Sequence, residues 1–162
     1  MGLFGSKDEI NIRMSKGKIK SICGRSFMGG SGFEESLEGD TLTFSAFQSS
    51  GTMSNQLLTA LGDSYSIFGA SSAHVSVTRY GQLTVELYVA RNEAAEKQQY
   101  FPGFQQALEA KGYDVFYKNQ RESDDSAQFS VSAVATPDNW ESVLTALLND
   151  VAIYVIKPLQ RV

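Results

Sequence analysis

Alternating apolar and polar positions open the patterned part of the chain. Ile10, Ile12 and Met14 share one side of residues 9–14, which reads as a half-buried strand. Ser15-Lys16-Gly17-Lys18 offers a turn, and 18–23 completes an expected N-terminal β-hairpin. From Gly24 to Asp40, five glycines and three serines predict a long Gly-rich loop, because neither residue type holds regular structure cheaply. Period two returns at 41–47, with Leu42, Phe44 and Ala46 inward. Ser54 to Gly62 reads as a short helix with a capping serine and a terminal glycine.

The clearest hairpin joins 73–79 to 82–90. Ala73, Val75 and Val77 face one way on the first strand, and Leu83, Val85, Leu87 and Val89 do so on the second. Matching these faces sets Val77 opposite Val85 and Val75 opposite Leu87, with the loop at Tyr80-Gly81-Gln82. Asn92 begins a helix that breaks at Pro102-Gly103, resumes through Phe104, Ala107 and Leu108, and closes at Lys111-Gly112. Strands over 113–118 and 127–135 flank a polar turn, 119–126. Thr136-Pro137-Asp138 starts a helix with Trp140, Val143, Leu144, Leu147 and Leu148 on one stripe. Residues 151–156 are rich in β-branched side chains and read as a last strand.

From residue 82 the expected order is β-α-β-β-α-β. The fold class is therefore α+β, with helices on one face of an antiparallel sheet and a ferredoxin-like C-terminal half. A single domain is expected, divided into an extension over 1–50 and a core over 54–157. With helix 54–62 and strand 73–79 added, the order resembles, in topology alone, that of small acidic secretion chaperones.

Composition narrows the chemistry. One Cys forbids an internal disulfide, and one Cys with one His cannot supply the usual zinc ligand sets. The net charge of −4, from 14 basic and 18 acidic residues, is uneven. Residues 1–25 hold six basic and two acidic groups, a net +4, while the remainder holds eight basic and sixteen acidic, a net −8. An acidic body argues against nucleic-acid binding, which needs clustered cations. The first residues lack the apolar core of a secretory signal, and no membrane association is expected. Gly2 followed by Ser6 matches a short myristoylation pattern that also arises by chance.

Candidate sites are few. Gly24 and Gly29 have P-loop spacing, but Gly30 stands where the lysine must be, so the phosphate mechanism fails. His74 lies on a polar strand face close to Tyr88 of the neighbouring strand, with Ser76 near Glu86, the makings of a base, nucleophile and orienter set on a flat surface. Cys23 beside Lys20 and Arg25 is a candidate reactive thiol or a buried small side chain. Acids cluster twice: Glu34, Glu35, Glu38 and Asp40 in the Gly-rich loop, and Glu122, Asp124 and Asp125 in the 119–126 turn. Tyr100 and Phe101 are aromatics available as interface anchors.

These features lead to an expected cytoplasmic, non-enzymatic, bacterial protein-binding domain, needing no cofactor or metal. Its acidic and aromatic loops would mask a partner with a basic surface, most concretely as an immunity protein inhibiting a toxin such as a nuclease. A secretion chaperone holding an extended effector segment, a ferredoxin-like small-ligand regulatory domain and an enzyme working through His74 and Glu86 are the rivals, in that order. A monomer or homodimer is expected.

Overall fold

The computed structural model describes residues 9–23, 33–47, 72–121, 124 and 126–160. The expected helix over 54–62 lies outside these residues, as does 24–32 of the expected Gly-rich loop.

Among the described residues, six strands form one antiparallel sheet. They are β1 (Phe33–Glu38), β2 (Thr41–Phe47), β3 (Ser72–Thr78), β4 (Gln82–Ala90), β5 (Asp114–Lys118) and β6 (Ser126–Val134), in the spatial order β1-β2-β3-β4-β6-β5. Helix α1 (Ile12–Cys23) precedes them, α2 (Arg91–Lys97) and α3 (Phe101–Glu109) connect β4 to β5, and α4 (Trp140–Val151) follows β6. The α+β class and the antiparallel sheet are therefore observed.

Alternation sorts the strands into two faces. Leu42, Phe44, Ala73, Val75, Val77, Leu83, Val85, Leu87, Val89, Phe129 and Val131 are buried on one of them. Helix α1 packs on β2 and β3, α4 on β4 and β6, and α3 on β5. Leu144, Leu147, Leu148 and Val151 of α4 are fully buried. Phe101 enters the same core against Phe129, with ring centroids 5.1 Å apart.

Several sequence expectations are corrected. The N-terminal β-hairpin is a helix: Ile12, Ile19, Ile22 and Cys23 are buried along one side of α1, and the Asn11 carboxamide oxygen accepts the Met14 N–H at 3.1 Å. Met14, expected inward, is 83% exposed. The short alternation at 9–14 fits both periods, and packing on the sheet selects the helical one.

Part of the expected Gly-rich loop is β1, which turns into β2 through Gly39 at φ 60°.

The last expected strand is also helical. Residues Ala152–Ile156 form a π-helical turn that leads into the short helix α5 (Lys157–Gln160). Val155, Ile156 and Leu159 prolong the buried stripe of α4. The sheet position beside β4 that a closing ferredoxin strand would take is held by β3. Trp140–Leu159 is consequently one apolar helical run, long enough by length and composition to cross a membrane. About two fifths of that run is buried, with its Trp140–Val151 part packed on β4 and β6.

The β3–β4 register differs from expectation by two residues. Val75 faces Val85, Val77 faces Leu83, and His74 faces Glu86. The loop is Arg79-Tyr80-Gly81, one residue earlier than expected: Gly81 N–H donates to Thr78 C=O at 3.0 Å, and Gly81 takes φ 91°. A Cβ on Gly81 would lie 1.9 Å from the Ala135 carbonyl oxygen, so the close approach of β4's start to the end of β6 requires glycine. In the helical connection, Pro102 sits in the first turn of α3, and the break expected there falls earlier, in the 3₁₀ turn Gln98–Tyr100.

Candidate functional site

The face of the sheet away from the helices is mostly polar, with hydroxyl side chains in its central rows. One row across the strands reads Glu34, Ser45, His74, Glu86, Ser130 and Phe116, and the next reads Ser36, Thr43, Ser76, Thr84, Ser132 and Asp114. Hydroxyls pair along these rows: Thr43 with Ser76 at 3.3 Å and Thr84 with Ser132 at 3.2 Å. Gln128 donates its side-chain N–H to Ser130 at 3.1 Å. Phe116 and Val134 stand out of this polar field, at 59% and 70% exposure.

His74 is at the centre. Its Nδ1 is 2.8 Å from the Ser45 hydroxyl, and its ring meets that of Tyr88 edge-on at 5.4 Å. Tyr88 donates to Glu86 Oε2 at 2.7 Å. Desolvation lowers the His74 pKa, against the opposing pull of the Glu86 charge, so the neutral ring is favoured. The Tyr88 hydroxyl is pushed up to about 12 by burial first and then by its bond to Glu86. His74 thus has Ser45, not Ser76, as its hydroxyl partner. A base beside a hydroxyl is the start of a nucleophile pair, but Glu86 is engaged by Tyr88 and the pair stands on a broad sheet face.

The acidic residues go to opposite edges. Glu34, Glu35 and Glu38 lie exposed on β1, with Glu35 3.5 Å from Lys16 of α1. Asp40 is half-buried in the β1–β2 turn, where its carbonyl accepts the Arg79 N–H at 2.9 Å. Lysines expected on a basic hairpin therefore sit on α1, and Lys18 reaches Glu141 of α4 at 3.0 Å. Asp124 lies after β5, 3.6 Å from Lys118, while Glu122 and Asp125 fall outside the described residues. Five strand spacings, about 24 Å, separate the two edges, so the acids form two surfaces rather than one. Tyr100 is exposed and stacks on Phe104 at 6.4 Å. Phe101, expected as a surface anchor, is fully buried among Phe104, Tyr117 and Phe129, and takes no part in a surface.

Two other features complete the site. A cleft of about 200 Å³ is lined by Glu9, Asn11, Arg13, Asp40 and Arg79. It is below the usual range of small-ligand pockets, and both signs of charge meet in it. Cys23 is fully buried, and desolvation pushes its thiol up to about 12, which makes it an inert core side chain rather than the reactive one considered from sequence. Among the described residues, no group of three or more His, Cys, Asp or Glu side chains is placed to hold a metal ion.

His74–Ser45 pairing and the edge position of the glutamates were hidden from sequence reading. Both depend on which strands are neighbours, and β2 and β3 are joined through 24 intervening residues. Comparisons with models of protein families, with curated proteins and with solved structures return no match for this chain.

Proposed function

We propose that the protein is a non-enzymatic protein-binding domain that masks a basic segment of a partner on its acidic β1 edge. One observation carries the reading. Among the described residues β1 pairs only with β2, and its exposed side chains include Glu34, Glu35 and Glu38. A terminal strand presents backbone N–H and C=O groups to an incoming extended chain, and its side chains choose what may add. Carboxylates on both sides of the pleat select Lys and Arg.

In its most concrete form this is the action of an immunity protein on a toxin, such as a nuclease whose phosphate-binding groove is basic. Covering that groove would inhibit the toxin without any chemistry. The extended geometry of an edge addition also favours a second reading, a secretion chaperone holding an effector segment. The two differ in whether the partner is folded when bound.

Binding is tested with a peptide of alternating Lys and Val and with the same peptide carrying Glu for Lys. The basic peptide is expected to bind and to weaken as salt rises. Combined Glu34→Lys and Glu38→Lys should lower its affinity about tenfold or more. Equal binding of both peptides, or indifference to the charge reversal, overturns the reading.

A further inference from the structure

The opposite edge of the sheet carries a different message. Strand β5, Asp114-Val115-Phe116-Tyr117-Lys118, pairs only with β6 among the described residues. Asp114, Phe116 and Lys118 are exposed on the open face, while Val115 and Tyr117 are half-buried toward the helices. From this placement we infer that β5 is a self-complementary edge, and that its occupant is the β5 strand of a second copy of this chain.

Two identical edge strands related by a two-fold axis through the sheet pair antiparallel, and the same patch serves both subunits. With the axis at Phe116, Asp114 of one copy lies opposite Lys118 of the other, and Lys118 opposite Asp114. Phe116 faces Phe116, and Val115 faces Tyr117. Directly opposed residues have Cβ atoms about 5 Å apart, within reach of an ion pair. Within one strand the same two charges are about 14 Å apart along the backbone and do not meet. A slip of two residues sets Asp114 or Lys118 against Phe116 and loses both pairs. A slip of one residue puts each side chain opposite the wrong face.

Edge charges ordinarily prevent such pairing, because like charges confront each other when an edge meets its own copy. Strand β1 behaves that way: self-pairing about Ser36 would oppose Glu34 to Glu38 on both sides of the axis. In β5 the charges are arranged with opposite sign about the central residue, so the device that repels at one edge attracts at the other. Phe116, the exposed aromatic of β5, lies on the axis and gains an aromatic cross-strand neighbour there. The resulting assembly is a continuous twelve-stranded sheet with β1 at each outer end, so the surface proposed above stays open in both copies. Edge contacts of this length are small, and dissociation in the micromolar range or weaker is expected.

Charge exchange tests the inference. Sedimentation of the full chain at low salt, over concentrations up to about 1 mM, is expected to show a monomer–dimer equilibrium. Asp114→Lys alone and Lys118→Asp alone each oppose like charges, and each should weaken dimerisation about tenfold or more. The double variant D114K/K118D restores opposite pairs across the axis and should recover the dimer. Recovery has no source within one subunit, since Lys118 lies 3.6 Å from Asp124 and the exchange leaves that contact broken. Circular dichroism and thermal unfolding of each variant establish that the fold is retained. A wild-type chain that stays monomeric, single variants that dimerise as well as wild type, or a double variant that fails to recover each overturn the inference.

Discussion

The two faces of this sheet are made from the same six strands and the same alternation, yet they are held in different ways. On the helix-covered face, side chains as large as Phe44, Leu87 and Phe129 are at most 1% exposed. Their contribution grows with apolar area removed from water, roughly 25 cal/mol per Å². On the open face no layer covers the strands among the described helices, and Ser, Thr, His and Tyr shield one another through hydrogen bonds. Ser130 is only 8% exposed, because it stands between Glu86 and Phe116 in its row. A hydrogen bond made where water can compete contributes little net stability. The covered face therefore accounts for folding, while the open face leaves its chemistry at the disposal of whatever approaches.

Phe101→Ala should destabilise the fold by about 3–5 kcal/mol in urea unfolding, because it empties the centre of the cluster with Phe104, Tyr117 and Phe129. A cost under about 1 kcal/mol would show that the covered face is not packed as described.

A smaller effect comes from His74. Its folded pKa is below the usual 6.5, so as the pH falls through that value the unfolded chain takes up a proton that the folded one refuses. Stability is therefore full above about pH 6.5 and declines beneath it, and His74→Gln should flatten the decline in thermal unfolding between about pH 7.5 and 5.5. An unchanged slope in that variant would assign the decline to other groups.

The smallest effect is expected for Thr84→Val, which removes the hydroxyl bonded to Ser132 but keeps a β-branched side chain on a central strand. A change within about 0.5 kcal/mol is expected; a loss comparable with that of Phe101→Ala would mean the open face bears on stability as the covered one does.

Much of this architecture was legible in the chain. Strands β2 to β6 follow from alternation, and α4 from the Trp140 to Leu148 stripe, because each pattern matched the partner it eventually met. Where reading failed, the deciding partner was distant. Ile10 and Ile12 suit a strand or a helix, and only the sheet surface beneath α1 distinguishes them. Val151 to Ile156 would pair as a strand if β4 had a vacant side, but β3 fills it. The hairpin register turned on one glycine: the left-handed Gly81 moves the loop by a residue and exchanges Tyr88 for Glu86 as the cross-strand neighbour of His74. For the candidate surfaces, the acidic residues were visible as charge, but their standing on an edge was not. Charge is a property of a segment, whereas an edge is a property of the finished sheet.

Pairing of β4 with β6 has a consequence in time. The hairpin of β3 and β4 is complete at Ala90, but Ser126, the first residue of β6, is made 36 residues later. At ordinary ribosomal speed that is about 2–7 s. Throughout that interval the apolar strand at the middle of the finished sheet is an outer strand of the nascent one, with Val85, Leu87 and Val89 awaiting the cover of α4. Synthesis therefore passes through a stage in which the most buried strand is the most exposed, and conditions that slow elongation between residues 90 and 126 should lower the soluble yield.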